Sequence, residues 1–238
     1  MATNTNVRRS QQERTRATTG ALIAAARELF IGDGFSVTSL DAICAKAGVT
    51  RGAFYHHFSN KEHIFREVYA ADQEELAIVV RRAFQAEQDP WDGMAAGCRS
   101  LLEASLEPAV RQITLVEAPG ALDWSTLRNI QAGCKEQMRR GLDIAIEAGC
   151  IPHRPLGPLT SLLYGGIGEI ALGLADSTDQ RAMLEDSLTE LNLVLAGVAG
   201  RLAPGCAHKE RSSPNPLQPN LTERPHGQIT QREARRSS

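Results

Sequence analysis

Residues 38–62 read TSLDAICAKAGVTRGAFYHHFSNKE, and this stretch predicts two short helices joined by a tight turn. Thr38 is the expected N-cap of the first helix, with Asp41 three residues later in the place of the usual capping-box glutamate. Gly48 is the expected end of that helix, because glycine adopts a positive φ at little cost. The buried stripe of this helix is expected to consist of Leu40, Ile43 and Ala47.

The second helix, which Thr50 is expected to cap, carries one polar face. At about 100° per residue, Phe54 faces the interior and His57 lies on the inward arc, where packing is its expected role. Arginine can donate two hydrogen bonds to a guanine edge, tyrosine and histidine can bond phosphate, and glycine lets a helix approach the groove floor. The two helices therefore predict a helix-turn-helix that binds DNA. Its polar face consists of Arg51, Gly52, Tyr55 and His56.

The charge distribution separates a basic head from an acidic body. Residues 1–70 carry nine Lys/Arg against six Asp/Glu, whereas residues 71–202 carry eleven against nineteen. A positive N-terminal module suggests a polyanionic partner. The excess of positive charge is modest, however, so the prediction of DNA binding depends on the helix-turn-helix motif. The acidic body favours cationic or neutral small molecules over anions.

The remaining sequence predicts helices and no strand pattern, so the fold class is all-α: a three-helix DNA-binding domain followed by a helical body. The 238 residues, 42% of them hydrophobic, suffice for one or two domains with a core. Residues 203–238 are rich in Pro, Ser, Asn and Arg and are expected to be a disordered tail. The expected division is a flexible basic arm (1–12), a helix-turn-helix domain (13–62), an effector-binding and dimerisation domain (63–202), and the tail.

Several protein classes are disfavoured by what the chain contains. Its five cysteines are odd in number and widely spaced, without a CxxC pair, which signals neither a disulfide framework nor a zinc site. His56, His57 and His63 lack the three- or four-residue spacing of helical metal ligands, so no metal and no cofactor are expected. Apolar runs are broken by charge or too short for a bilayer, and no signal peptide is evident. A cytoplasmic protein without a membrane partner is expected.

The segment LDAICAKAGVTRGAFYHHFSNKEHIFREVY (residues 40–69) and the helix before it resemble the TetR (tetracycline-repressor-like) family of bacterial transcription regulators. The resemblance covers residues 15–69, and its combination Gly-Val-Thr-x-Gly-x-x-Tyr-x-x-Phe-x-x-Lys-Glu is highly specific. VTRGAFYHHFSNKEHIF is similar to repressors of multidrug-efflux operons. LVEAP..LDW at residues 115–124 is a weaker resemblance, to a subset of the family.

The resemblance implies a homodimeric repressor that binds a palindromic double-stranded DNA operator, associates with the bacterial nucleoid when bound, and is released by a small, mostly apolar effector. It implies that Arg51 reads bases and that Lys61, at the start of the fourth helix, holds phosphate. Thr38 would donate to phosphate from its cap position. The residues expected to contact phosphate or base edges are Thr50, Tyr55 and His56.

By the same resemblance, the body encloses an effector pocket and dimerises through its last two helices. The candidate pocket residues are Phe84, Trp91, Trp124 and Tyr164, with the carboxylates Glu117 and Glu169. A stripe spaced by four, three, four and three residues is typical of a packed helix pair and predicts a dimer seam, although it could instead close the monomer's own core. The predicted interface comprises Gly165, Gly168, Ala171, Leu184, Leu188, Leu191, Leu195 and Val198, with Leu202 continuing the stripe.

Two other functional classes stay open from the sequence. Gly166 to Ala171 formally match the GxGxxA dinucleotide fingerprint, which would make the chain an NAD(P)-dependent oxidoreductase. That fingerprint requires a preceding strand in a βαβ unit, and its surroundings here predict helix, so a non-enzyme is expected. A helical adaptor that binds only protein is the other alternative.

Overall fold

The chain folds into consecutive helices, as a computed structural model shows for residues 3–200, with side chains described from residue 11 onward. The predicted tail (203–238) and Leu202 lie outside the described residues. No strand occurs among residues 3–200, and the all-α prediction is confirmed. The elements are α1 Thr3–Gly32, α2 Leu40–Ala47, α3 Arg51–His57, α4 Lys61–Ala86, α5 Pro90–Ala104, α6 Pro108–Val110, a π-helix Arg111–Glu117, α7 Ala118–Ala121, α8 Trp124–Glu147, α9 Leu156–Asp176 and α10 Gln180–Val198.

Helix α1 begins much earlier than the sequence pattern indicated. Residues 1–12 were expected to form a flexible arm, but the helical backbone already starts at Thr3. No glycine or proline occurs between Thr3 and Thr19, so no residue in that stretch breaks the helix. Of the expected arm, residues 3–12 are therefore helical, and residues 1–2 lie outside the described part.

The caps of the helix-turn-helix follow the sequence, with one correction. Gly48 ends α2 with φ of 68°, Thr50 caps α3 by accepting from the Ala53 amide, and Asn60 caps α4. Thr38, however, is not the cap of α2. It is buried and its hydroxyl donates to the Gly34 carbonyl at 2.8 Å, whereas the exposed Ser39 accepts from the Ala42 amide at 3.1 Å and caps the helix.

An aromatic core beneath α3 also receives side chains from the body. Phe30 of α1 and Phe65 of α4 meet edge to face with centroids 5.2 Å apart, and Phe54 is fully buried in the same cluster. Ile113 of the π-helix and Leu127 of α8 belong to this cluster too. Apolar burial therefore joins the DNA-binding helices to the middle of the chain.

The second core lies among α5, α8, α9 and α10, and α4 packs closely against α5. A Cβ added at Gly93 of α5 would come within 2.7 Å of the Phe84 carbonyl oxygen, and one at Gly97 would touch Val80 at 3.4 Å. These two glycines, one turn apart, let the helices approach to backbone contact. Trp91, predicted to face an effector, is instead 4% exposed within this core.

The predicted leucine seam mostly closes the monomer's own core. Leu188, Leu191 and Leu195 are buried against α5 and α9, which agrees with the alternative that the stripe closes the monomer's own core, and their role in a dimer stays a prediction. Ala171 is also buried, and Leu184 and Val198 pack on the same cluster. Periodicity identified a buried stripe correctly but could not say which molecule buries it. On the faces turned away from this buried stripe, α9 and α10 expose large apolar side chains, namely Leu162, Leu172, Leu193 and Val194. Gly165 and Gly168 are also exposed on α9.

Among the described helices, α9 alone is long and apolar enough to cross a membrane by length and composition. One-third of its most apolar stretch is buried within the chain. A helix that packs on one face against its own core and on the other against a protein partner has the same composition, so this feature is weak evidence for a membrane.

Candidate nucleic-acid interface and ligand cavity

The polar face predicted for α3 is one exposed surface. Arg51, Gly52, Tyr55 and His56 are all exposed, while Phe54 anchors the helix from below. The Tyr55 ring stands edge-on to Phe54, with centroids 5.5 Å apart. The helix therefore presents arginine, phenol and imidazole groups outward from a rigid aromatic base, the arrangement that a recognition helix requires.

Arg51 is held in place by its neighbours. Its Nη1 lies 3.3 Å from Asp41 Oδ1 on α2, and the Tyr55 hydroxyl, followed by Asp41, raises the pKa of the guanidinium. Both members of the Arg51–Asp41 pair are more than half exposed, so water screens their attraction. The side chain is oriented on the exposed face, and a stronger acceptor can displace the carboxylate.

Lys61 is turned inward, contrary to the prediction that it holds phosphate. Its ammonium group donates to the carbonyls of Phe35 at 2.6 Å, Thr38 at 3.0 Å and Ser36 at 3.2 Å, and lies 4.4 Å from the Phe35 ring centroid. An ammonium has three protons, and here each has an acceptor within the chain. Lys61 fastens the loop between α1 and α2, and the buried Thr38 hydroxyl is likewise unavailable to phosphate.

The histidines near this face have structural partners. His57 and the Thr19 hydroxyl of α1 are 3.0 Å apart, which fits the packing role predicted for His57. His63 Nδ1 accepts from the Ser59 amide at 3.2 Å in the turn before α4. Within the described residues, no group of three His, Cys, Asp or Glu side chains is placed to hold a metal ion.

A cavity of about 650 Å³ lies in the body between α4, α5, α8 and α9. Of the six predicted pocket residues, Phe84 and Tyr164 line it. Trp124 does not; it is 70% exposed beside Arg128, and Glu169 points outward from α9. The other lining residues are Ala70, Gln73, Glu74, Ala77, Val80, Arg81, Gln85, Met94, Gly97, Cys98, Leu101, Ile130, Gly133, Cys134, Glu136, Gln137, Met138, Arg140, Gly141 and Ile144.

Sequence reasoning missed most of this lining, including Gln73 and Cys134. Gln73 stands in the polar run Asp-Gln-Glu-Glu, yet it is 5% exposed. No periodic pattern distinguishes a polar side chain that faces a cavity from one that faces water. The pocket residues were predicted from aromatic residues and from carboxylates in apolar surroundings. Four of the six side chains chosen in this way do not line the cavity.

The interior of the cavity is electrically neutral. Burial raises the pKa of Tyr164 far above its ordinary value and that of Cys98 to about 12, and burial followed by Glu74 raises the pKa of Cys134. These groups keep their protons at neutral pH. The charged lining residues form ion pairs: Arg81 lies 3.8 Å from Glu74, and Glu136 pairs with both Arg140 at 3.2 Å and Arg139 at 2.8 Å.

Glu117, predicted to line the pocket, instead bridges the body and the DNA-binding domain. Its Oε1 accepts from the Phe35 amide at 3.1 Å, in the loop that Lys61 fastens, and from Gln112 at 3.0 Å. Thr114, three residues earlier in the same π-helix, accepts from the Gln73 side-chain amide at 3.2 Å. The π-helix thus touches a cavity residue with one side chain and the α1–α2 loop with another.

Two regions match family descriptions. Residues 22–68 match "Bacterial regulatory proteins, tetR family", and residues 91–198 match "Tetracyclin repressor-like, C-terminal domain". The transcriptional regulator SrpR of Pseudomonas putida is 31% identical over 160 residues, which are 61% of this chain and 73% of that protein. The chain belongs to the tetR family. It is a DNA-binding transcriptional regulator.

Other similar proteins agree with this family assignment. The Transposon Tn10 TetC protein of Escherichia coli is 32% identical over 124 residues, half of this regulator and 60% of the TetC length. A crystal structure of a TetR-family transcriptional regulator from Pectobacterium atrosepticum is 32% identical, with a TM-score of 0.69. That match covers 78% of this regulator and 96% of the Pectobacterium chain.

The glycine fingerprint of this TetR-family regulator lies inside a helix. Gly166 to Ala171 occupy the middle of α9, and no strand precedes them in the described residues 3–200. A dinucleotide site needs the fingerprint in a strand-to-helix turn, where the helix N-terminus meets the pyrophosphate. The context that the oxidoreductase interpretation requires is missing, and members of this family are transcriptional regulators.

The regulator also has a partly buried ion pair between α1 and α4. Arg27 Nε donates to Asp72 Oδ1 at 2.6 Å, and the Asp72 side chain is 3% exposed. Burial raises the pKa of Asp72 although Arg27 opposes the shift, and its Oδ2 accepts no hydrogen bond within the described part of the chain. This pair fixes the first helix of the DNA-binding domain to the helix that enters the body.

Proposed function

We propose that this regulator is a cytoplasmic repressor that binds a palindromic operator as a homodimer and is released by a small, mostly apolar effector held in the 650 Å³ cavity. The observation that carries the proposal is the course of α4. This helix begins at Lys61, beside the DNA-reading face, and its second half, from Gln73 to Gln85, lines the cavity. A ligand that shifts α4 therefore acts on both halves of the molecule.

The DNA contacts are assigned to the exposed face of α3. Arg51 is proposed to read base edges, with Gly52 allowing close approach, and Thr50, Tyr55 and His56 are proposed to contact phosphate or base edges. Each chain carries one such face, so a palindromic site requires two copies with recognition helices about 34–36 Å apart. Lys61 and Thr38 are proposed to shape the loop behind this face.

Dimerisation is assigned to the outward faces of α9 and α10. The large apolar side chains exposed there are unusual for a monomer surface and suit a second copy of the same helices. Gly165 and Gly168 lie on the exposed side of α9, where the lack of side chains allows close helix approach. The buried leucines of α10 then support the interface from behind.

The effector signal is proposed to travel through the π-helix as well as along α4. Gln73 in the cavity wall holds Thr114, Glu117 holds the Phe35 amide, and the Phe35 carbonyl accepts from Lys61. Every link is a hydrogen bond between elements with a shared apolar core. A ligand that displaces Gln73 can therefore move the loop behind α3 and change the separation of the two recognition helices.

The test combines operator binding with cavity blocking. Footprinting on the DNA upstream of the neighbouring genes is expected to protect a palindrome, and a screen of uncharged amphiphiles is expected to yield compounds that release it. Val80→Trp should fill the cavity, abolish release and leave operator affinity unchanged, whereas the exposed Val79→Trp is the matched control. Release that persists unchanged in Val80→Trp would refute the cavity as the effector site.

A further inference from the structure

The deep wall of the cavity contains a polar group with one atom left for a ligand. Gln73 is 5% exposed, and its Nε2 donates to Thr114 Oγ1 at 3.2 Å, which orients the side-chain amide. Its Oε1 accepts no hydrogen bond from another described residue, and it is not one of the fully buried polar atoms that lack a partner, so it has open space beside it in the cavity that Gln73 lines. A ligand hydroxyl or a water molecule in the cavity can donate to this oxygen.

The complementary donor is the hydroxyl of Tyr164. Tyr164 enters the same cavity from α9, and the raised pKa keeps its proton on the oxygen at neutral pH. The thiol of Cys134, which also lines the cavity, donates to the main-chain carbonyl oxygen of Gln73 at 3.8 Å. Gln73 and Tyr164 thus offer the cavity an uncharged acceptor and an uncharged donor.

The charged side chains that line this cavity are solvent-exposed. Arg81 lies 3.8 Å from Glu74, and Glu136 is shared by Arg140 at 3.2 Å and Arg139 at 2.8 Å. The side chains of Arg81 and Arg140 are 48% and 72% exposed, so water screens their charge. A carboxylate or phosphate placed beside Gln73 and Tyr164 would lose its hydration, and among the described lining residues only these screened arginines could compensate it. An uncharged molecule avoids this penalty.

We propose that the effector is an uncharged molecule with a hydroxyl group on an apolar body, such as an alkylphenol or alicyclic alcohol. The hydroxyl donates to Gln73 Oε1 and accepts from the Tyr164 hydroxyl, while the apolar part lies among Val80, Phe84 and Met94. This inference rests on the proposed function, because it takes the cavity as the effector site. The cavity volume lies within the range of small-molecule sites.

The test uses three probes of nearly equal shape on the full chain: 4-butylphenol, butylbenzene and 4-butylbenzoate. Titration calorimetry is expected to show 4-butylphenol binding about three- to tenfold more tightly than butylbenzene, the range of one or two neutral hydrogen bonds. The benzoate should bind more weakly than either. Equal or tighter binding of the benzoate, or no binding of the phenol at its solubility limit, would overturn the inference.

Two variants separate recognition from folding. Tyr164→Phe removes one hydroxyl and should erase most of the preference for the phenol while leaving butylbenzene affinity unchanged; Gln73→Leu should do the same. Gln88→Leu, an exposed change on the α4–α5 connection, is the control and should keep the preference. A phenol preference retained in both Tyr164→Phe and Gln73→Leu would also overturn the inference.

Operator release measured in parallel distinguishes this inference from the proposed function. If 4-butylphenol binds with the expected preference but leaves the operator complex intact, the ligand class holds and the derepression model fails. If the benzoate binds and releases the operator while the phenol does neither, the derepression model holds and the ligand class is wrong.

Discussion

Glu117 offers the sharpest test of the link between the cavity and the DNA-binding domain. Its carboxylate accepts hydrogen bonds from the amide of Phe35, which is 82 residues away in the sequence, and from the side chain of Gln112. Hydrogen bonds to a charged group contribute about 1.5–3 kcal/mol each when shielded from water, and less where water competes. Glu117→Ala leaves the partly buried Phe35 amide without its acceptor, so we expect the free energy of unfolding to fall by about 2 kcal/mol.

The functional consequence of Glu117→Ala should exceed its effect on stability. If the carboxylate transmits the signal, ligand affinity of the free protein stays unchanged while the ligand-induced loss of operator affinity shrinks. Couplings of this kind are about 1–3 kcal/mol, a factor of 5–150 in affinity. We expect Glu117→Ala to reduce that factor at least about threefold, and Glu117→Gln, which keeps an acceptor oxygen, to reduce it less.

The assay is operator affinity with and without saturating ligand, alongside urea unfolding. Glu107→Ala is the matched control, because Glu107 is exposed at the start of α6 and its side chain makes no capping hydrogen bond. By linkage, DNA must weaken ligand binding by the same factor, which gives an independent check. If Glu117→Ala retains the full coupling, the π-helix is not part of the signal route, and α4 alone carries it.

Four further outcomes follow from the geometry. Arg51→Ala should lower cognate-operator affinity by about 1–3 kcal/mol and leave random-DNA affinity nearly unchanged; equal losses on both would contradict base reading. Lys61→Ala should lower the melting temperature by several degrees without changing the salt dependence of DNA binding, because its ammonium is occupied within the chain. Leu193→Glu should shift the mass in light scattering toward the monomer and weaken operator binding; an unchanged dimer would refute the assigned face. Asp72 has a raised pKa in the folded state, so its contribution to stability is present below about pH 3.8 and is lost as pH rises through that raised pKa. In unfolding measured as a function of pH, the stability of the wild type relative to Asp72→Asn should therefore fall over that window. A relative stability that does not change with pH would show that the pKa of Asp72 is not raised.

The helix-turn-helix could be predicted from the sequence because its determinants are local. Thr50 and Asn60 cap helices with their own side chains, and Gly48 ends α2 with its own backbone. The one cap that the sequence predicted wrongly there involves two adjacent hydroxyl residues. Thr38 and Ser39 can both cap a helix. In the folded chain the Thr38 hydroxyl donates to the Gly34 carbonyl, and Ser39 is the residue that caps α2.

The cavity and the interface could not be predicted in the same detail because long-range packing decides them. Glu117 stands in an apolar context that fits a pocket equally well, and its true partner is the distant Phe35 amide. Leu191 satisfies the spacing of a helix pair whether the partner helix is α5 of the same chain or α10 of another. Lys61 reaches three carbonyls that become adjacent only when the α1–α2 loop has folded.

The glycines of α5 have a consequence for how such a regulator can diverge. Gly93 places its backbone against the Phe84 carbonyl, so main-chain contact sets the spacing of α4 and α5. Met94 and Met138 on the cavity wall have unbranched, adaptable side chains, and the contact between Gly93 and Phe84 does not involve them. Exchanging such side chains can reshape the cavity while the frame around it keeps its dimensions. Related chains could therefore differ in the small molecules they bind through a few substitutions while the fold stays the same.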